Sequence, residues 1–177
     1  MIVEYPNTLI TEFCTKVVKL FKKNNSIEPD ETEDDQTDIF FNQNPQLQEE
    51  MFSILSPYVV DYFSRIGFTV LASWFNLTDL CVMNKTTGRE IHFDNSLFLK
   101  NGKELLNPAA FLIFLNDNFN GGELIFPYQK TTIFPEEGKL TVFPSHFTYP
   151  HFVETADNNR YVMKAELTIK PEYREMF

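Results

Sequence analysis

The chain has 177 residues, enough for one domain with a substantial core, since single domains centre on roughly 100–150 residues. A hydrophobic fraction of 43% suits a soluble globular chain, and 19 Phe favour a β-rich core, because Phe packs well on pleated, half-buried surfaces. The net charge of −10 argues against a dedicated nucleic-acid binder, which needs a basic stripe to displace phosphate counterions.

The N-terminal segment reads as a helix capped by Asn7 or Thr8, with Leu9, Ile10, Phe13, Val17, Leu20 and Phe21 at helical spacing. It runs out in Lys22-Lys23-Asn24-Asn25, a favourable C-terminal turn for the helix dipole. Residues 28–38 carry seven acidic residues and no basic one, and are expected to form a mobile, solvated surface loop. A second helix is expected over about 46–66, with Met51, Ile54, Leu55, Val59, Tyr62 and Phe63 on its apolar face. Pro57 should kink that helix or divide it in two.

After Gly67 the pattern changes to short apolar runs separated by Asn, Asp, Gly and Pro, the signature of strands and turns. The runs 69–75, 80–83, 90–93, 109–115, 123–126, 131–134, 139–143 and 160–169 are the predicted strands. The simplest architecture for two helices followed by about eight strands is α+β but mainly β: a jelly-roll-like sandwich with the helices packed on one sheet. Cys14 and Cys81 are too few for a disulfide framework or a zinc cluster, which points to a reducing, cytoplasmic setting. Neither a signal peptide nor a run of ~18 apolar residues is visible, so no membrane association is expected.

Three histidines are available for chemistry: His92, His146 and His151. In a strand His92 and Asp94 point to one face, while Phe93 points to the other. An imidazole and a carboxylate on one face supply two of the three ligands of a facial Fe(II) triad. A plain hydrogen-bonded His–Asp couple is the commoner outcome for such a motif in isolation. Further on, His151-Phe152-Val153 precedes a polar turn, Asp157-Asn158-Asn159, and then Arg160. That turn chemistry can fold the chain into a hairpin that sets Arg160 beside His151. A planar guanidinium suits a ligand carboxylate, since it donates two parallel hydrogen bonds; the plainer role for Arg160 is a surface ion pair.

The order of these motifs resembles the prolyl 4-hydroxylase branch of the Fe(II)/2-oxoglutarate oxygenases, small free-standing members in particular. It runs through His92-x-Asp94, the segment Leu115-Asn116-Asp117-Asn118-Phe119-Asn120-Gly121-Gly122-Glu123-Leu124, Pro135-x-x-Gly138, Phe143-Pro144-Ser145, His151-x-Val153 and Arg160-Tyr161. The resemblance covers about half the chain, from 80 to 169, and the Asn/Asp turn leading to Gly121-Gly122 is its most specific piece. It implies a double-stranded β-helix core over about 67–170 after a helical part to about 66, together making one oxygenase domain of residues 1–177. It also implies a 2-oxoglutarate-dependent dioxygenase that hydroxylates a C–H bond, most naturally of a peptidyl or free proline-like residue, and releases succinate and CO2. His92, Asp94 and His151 would hold Fe(II), with O2 and 2-oxoglutarate as co-substrates and ascorbate as an accessory reductant. Arg160 would bind the distal carboxylate of 2-oxoglutarate. Phe114 stands where many relatives place a Tyr that assists that carboxylate. By strand alternation Arg160, Val162, Lys164 and Glu166 share one face of the last strand: if it is internal, Lys164 assists Arg160 or pairs with Glu166, and otherwise Lys164 and Glu166 point to solvent at a frayed barrel rim. His146, the rival third ligand, has the wrong spacing to Arg160 and reads as a loop residue at the site mouth. Alternatives on the same sequence are other substrates for the same chemistry (another side chain, a small metabolite, a nucleobase), a non-catalytic β-helix that binds a ligand or partner, and a cupin-like isomerase.

Overall fold

The computed structural model describes residues 1–24, 36–41, 44–94, 97–100 and 103–176. Twelve strands and two α-helices are present among them: β1 (Val3–Tyr5), α1 (Thr11–Asn24), β2 (Gln36–Phe40), α2 (Pro45–Arg65), β3 (Phe75–Lys85), β4 (Arg89–His92), β5 (Leu97–Lys100), β6 (Lys103–Leu106), β7 (Ala109–Phe114), β8 (Leu124–Phe126), β9 (Thr131–Ile133), β10 (Leu140–Pro144), β11 (His151–Val153) and β12 (Tyr161–Ile169). They form a six-stranded antiparallel major sheet in the order β1-β10-β7-β12-β3-β2, a four-stranded minor sheet in the order β4-β11-β8-β9, and a separate β5–β6 hairpin. This is the two-sheet, double-stranded β-helix arrangement with helices at its N-terminal end, as the sequence predicts.

Strand periodicity divides the core into two layers. On β12, Tyr161, Met163, Ala165, Leu167 and Ile169 join the cluster packed by the helices, while Val162 joins the one between the sheets. On β7, Phe111 and Ile113 face the helices, whereas Ala110, Leu112 and Phe114 face the minor sheet. Every residue of β7 is therefore buried, which is why its sequence, AAFLIF, is continuously apolar rather than alternating. From the helices, Phe13, Val17 and Phe21 of α1 and Met51, Leu55, Val59 and Phe63 of α2 cover the outer face of the major sheet. Full burial of each large apolar side chain contributes about 1.5–3 kcal/mol, so the layer is a rigid platform beneath the second cluster.

Several local expectations need correction. Helix α1 starts at Thr11, because the carbonyl of Ile10 accepts the first helical N–H groups, from Phe13 at 2.9 Å and Cys14 at 3.1 Å. Leu9 instead lies in a bend ahead of the helix, its N–H donating to Gly138 O at 3.0 Å, and Thr8 donates its hydroxyl to Tyr5 O. Helix α2 continues through Pro57 undivided. Pro57 lies on the exposed face, between the buried Leu55 and Val59, so the carbonyl that loses its partner is open to water and apolar packing holds both halves in line. Residues 72–74 form a 3-10 turn rather than strand, and 75–85 form one long strand spanning both clusters. Of the acidic segment, 28–35 lies outside the described residues, and 36–38 opens β2 rather than a loop, paired to β3 from Gln36 opposite Lys85. Strands β1, β2, β5, β6 and β11 were not among the predicted runs; the three-residue β1 adds itself to the edge of β10.

Candidate active site

Strand β4 carries His92, and Asp94 follows two residues on. Strand β11 opens with His151, which stands directly opposite His92 in the antiparallel register. That cross-strand pairing brings the two imidazoles to a centroid separation of 4.4 Å. One donor atom from each of His92, Asp94 and His151 lies within 4.8 Å of the others, so the three converge on one point. Both Nδ1 atoms are occupied by backbone carbonyls, His92 by Glu90 O at 2.8 Å and His151 by Tyr149 O at 3.1 Å. The proton therefore sits on Nδ1, and Nε2 presents its lone pair to the shared point, the tautomer a metal ligand requires.

The electrostatics agree with that assignment. Burial lowers the pKa of His92 to about 4, helped by the nearby His151 and Arg89 and opposed by the Glu90 carbonyl and Asp94. Burial also lowers that of His151, against the pull of Asp94. Both rings are neutral ligands at neutral pH. Burial pushes Asp94 upward, but Lys164, His151 and His92 together hold its carboxyl below the usual range, and it is ionised. Lys164 donates from Nζ to Asp94 Oδ1 at 2.9 Å and lies 3.3 Å from Glu166 Oε1. One oxygen of Asp94 is thereby tied down and the other left available. Two imidazole nitrogens and one carboxylate oxygen on one side of an open space form a donor set that fits Fe(II).

Arg160 lies deeper, 3% exposed, immediately before β12. Its Nε donates to Gly122 O at 3.0 Å, its guanidinium sits 5.5 Å over the ring of Phe114, and its Nη2 is buried with no partner. Desolvation lowers its pKa to about 10, partly offset by Glu123, and it stays charged. A buried, charged guanidinium with an orphaned N–H beside an open pocket is suited to a ligand carboxylate. The pocket is lined by Arg160, Lys164, Arg89, the three converging residues and an apolar wall that includes Leu112, Leu124 and Val153.

The Asn/Asp-Gly-Gly segment acts as a clamp on this arrangement. Asn116 Nδ2 donates to Asn159 O, and Asn116 Oδ1 accepts from Tyr161 N–H at 2.8 Å. Asn120 donates its backbone N–H and its Nδ2 to the two oxygens of Asp157. Gly122, at φ +73°, has room for no side chain: a Cβ would stand 2.7 Å from Arg160 Cδ. The loop thus fixes the turn from which Arg160 projects. The turn is not a hairpin, however. Strand β11 pairs with β4 and β8 in the minor sheet, and β12 with β3 and β7 in the major sheet. His151 and Arg160 meet because the chain crosses between sheets whose inner faces share the pocket.

Of the remaining sequence candidates, Phe114 lies inward beneath Arg160 and Lys164 lines the pocket, where it pairs with both Asp94 and Glu166. Of the sequence readings of Lys164, the internal face paired with Glu166 is the one found, and the solvent-facing rim is not. His146 is apart from the converging group; its Nδ1 is engaged by Thr148, whose hydroxyl lies at 2.7 Å. Sequence reasoning missed Arg89, and missed the Asp94–Lys164 ion pair because its partners are 70 residues apart.

Residues 79–165 match the 2OG-Fe(II) oxygenase superfamily. Among solved structures, the chain is similar to the viral collagen prolyl hydroxylase of Paramecium bursaria Chlorella virus-1 in complex with 2OG, at 14% identity and TM-score 0.69, covering 96% of each chain. It is similar to a Pseudomonas putida prolyl-4-hydroxylase, at 15% identity and TM-score 0.65, covering 96% of this chain and 92% of that one. It is also similar to a Trichoplax adhaerens prolyl hydroxylase in complex with a hypoxia inducible factor peptide, at 19% identity and TM-score 0.65, covering 99% and 86%. No curated protein matches at the level of sequence. No helix among the described residues is long and apolar enough to cross a membrane. The family works with Fe(II), 2-oxoglutarate and O2, which the donor set above fits, and ascorbate is at most an accessory. Residues 79–165, which carry His92, Asp94, His151 and Arg160, thus match the 2OG-Fe(II) oxygenase superfamily, and the chain presents them on a prolyl 4-hydroxylase-like fold.

Proposed function

We propose that the chain is one oxygenase domain that hydroxylates a C–H bond of a proline-like residue, in a peptide or as a free amino acid. In this reading His92 Nε2, His151 Nε2 and the free oxygen of Asp94 hold Fe(II), and Arg160 holds the distal carboxylate of 2-oxoglutarate. The observation that carries it is the convergence of His92, Asp94 and His151 within 4.8 Å, beside a buried Arg160 with an unpartnered Nη2. Bound there, Fe(II) with O2 and 2-oxoglutarate supplies the oxidation that replaces a substrate hydrogen by hydroxyl, with one succinate and one CO2 released.

The protein's own residues do the rest. Two carbonyls fix the imidazole tautomers, and Lys164 holds Asp94 by one oxygen, which favours single-oxygen ligation and leaves metal positions open. Arg160, anchored on Gly122 O, orients the co-substrate from its far end. Phe126 and Phe143, 5.2 and 4.9 Å from the His151 ring, exclude water behind that ligand. The proline preference is supported by the likeness in fold to prolyl hydroxylases and by the sequence resemblance. The test is incubation of Fe(II)-loaded protein with 2-oxoglutarate, O2 and a panel of proline-containing peptides, proline and other amino acids. Succinate release matched by a +16 Da product is expected from a proline probe, and matched turnover on non-proline substrates alone would refute the preference.

A further inference from the structure

Strand β4 does not alternate regularly. His92 stands opposite His151 and Arg89 opposite Val153, so three steps along β4 match two along β11. In a regular strand, residues three apart point to opposite faces. The extra residue makes a bulge, and a bulge re-aims the side chains on one side of it. Arg89 consequently lines the same pocket as His92, Asp94 and His151. The residue before it allows the close pairing this needs: a Cβ on Gly88 would lie 2.6 Å from Val153 O and 3.2 Å from Thr155 N.

The three cations of the pocket differ in what they have left to bind. Arg160 is deep and buried, anchored on Gly122 O. Lys164 is taken up by Asp94 and Glu166. Arg89 is exposed at the mouth and has no ion-pair or side-chain hydrogen-bond partner among the described residues. It is close enough to the centre that its charge acts on both His92 and His151. A guanidinium aimed by a bulge into the space before the converging ligands is placed to meet whatever stands there, and its planar fork is complementary to a carboxylate.

We infer that Arg89 selects the substrate, receiving a carboxylate that the substrate carries close to the C–H bond to be hydroxylated. This rests on the function proposed above. The carboxylate is either the terminal carboxylate of a free amino acid or the side chain of an acidic residue next to the target in a peptide, and Arg89 meets the same chemistry in both. A charge-assisted hydrogen bond at a solvent-exposed guanidinium is screened, so roughly tenfold in affinity is expected.

The test uses the 177-residue chain loaded with Mn(II) and 2-oxoglutarate, with binding read from paramagnetic relaxation of the probe's NMR signals. The probes are N-acetylproline against N-acetylprolinamide, and a capped Ala-Pro-Asp-Ala tetrapeptide against its Asn counterpart. At least one carboxylate probe should bind about tenfold more tightly than its amide, and which pair shows it identifies the source. Arg89→Gln and Arg89→Ala should abolish the preference, Arg89→Lys should restore part of it, and 2-oxoglutarate affinity should stay unchanged in all three. The inference is overturned if neither carboxylate probe is preferred, if the preference survives in Arg89→Gln, or if that variant loses 2-oxoglutarate instead. Failure of the parent protein to hold Mn(II) and 2-oxoglutarate would remove the proposed function itself, whereas the other outcomes leave that function standing.

Discussion

Arg160→Ala probes the link between the buried guanidinium and the co-substrate. The Nε of Arg160 is already committed to Gly122 O, so a bound carboxylate gains the charge and the terminal N–H groups, chiefly the unpartnered Nη2. Truncating one partner of a buried charge pair costs ~2–5 kcal/mol. With one of the donors spent on Gly122, the lower half of that range applies, about 2–3 kcal/mol, or ~30- to 150-fold weaker 2-oxoglutarate binding. Arg160→Lys should recover only part, because an ammonium cannot hold Gly122 O and a carboxylate in one plane. Arg160→Met preserves most of the packing volume and separates loss of the cation from a cavity. Phe114→Tyr should tighten binding, since its ring lies 5.5 Å from the guanidinium and a hydroxyl there adds a donor near the carboxylate. The assay is anaerobic calorimetric titration of 2-oxoglutarate into metal-loaded variants, with Mn(II) affinity measured alongside and expected to be unchanged. If Arg160→Ala and Arg160→Met both bind 2-oxoglutarate as tightly as the parent, the assignment fails and Lys164 becomes the better anchor.

Gly122→Ala should weaken 2-oxoglutarate binding without touching a binding group, because the new Cβ would meet Arg160 Cδ at 2.7 Å and an alanine at φ +73° is strained by ~1–2 kcal/mol; normal affinity and normal melting would contradict this. Mn(II) at a hundredfold excess over its Kd should stabilise the fold by ~2.7 kcal/mol, and the melting shift should vanish in His92→Ala and His151→Ala but persist in His146→Ala. A shift lost with His146 and kept without His151 would reverse the ligand assignment. The metal-free protein should lose stability in acid. His92 has a folded pKa of about 4, below its unfolded value of ~6.5, so the unfolded chain binds the extra proton between the two. That contribution is complete above pH ~6.5 and lost as pH falls toward 4, with His151 acting in the same direction. After allowing for solvent screening the effect is roughly 1–2 kcal/mol, to be read from urea midpoints at pH 7 and 4.5. A His92→Asn protein with an undiminished pH slope would refute it.

What the sequence determined by itself is chemistry that depends on short spacing. His92 and Asp94 share a face because a strand alternates, and the Asn/Asp-Gly-Gly run announces a positive-φ turn, found at Gly121 and Gly122. The doubly buried β7 was legible as an uninterrupted apolar run, and the helical face of α2 as a heptad-like stripe. Partners distant in the chain were not legible. Which sheet receives β11 and which receives β12 is decided by pairing with β4, β8, β3 and β7, and no turn sequence encodes that choice. Strands as short as β1 carry too few residues for a period; an existing edge recruits them. The Asp94–Lys164 pair joins residues that only the closed β-helix brings to 2.9 Å. Local alternation sends Arg89 to the wrong face, and only the register between β4 and β11 turns it into the pocket. Spacing along the chain thus names the groups that converge. The tertiary structure decides what surrounds them, because side-chain direction in a sheet depends on register with a strand supplied from elsewhere in the chain.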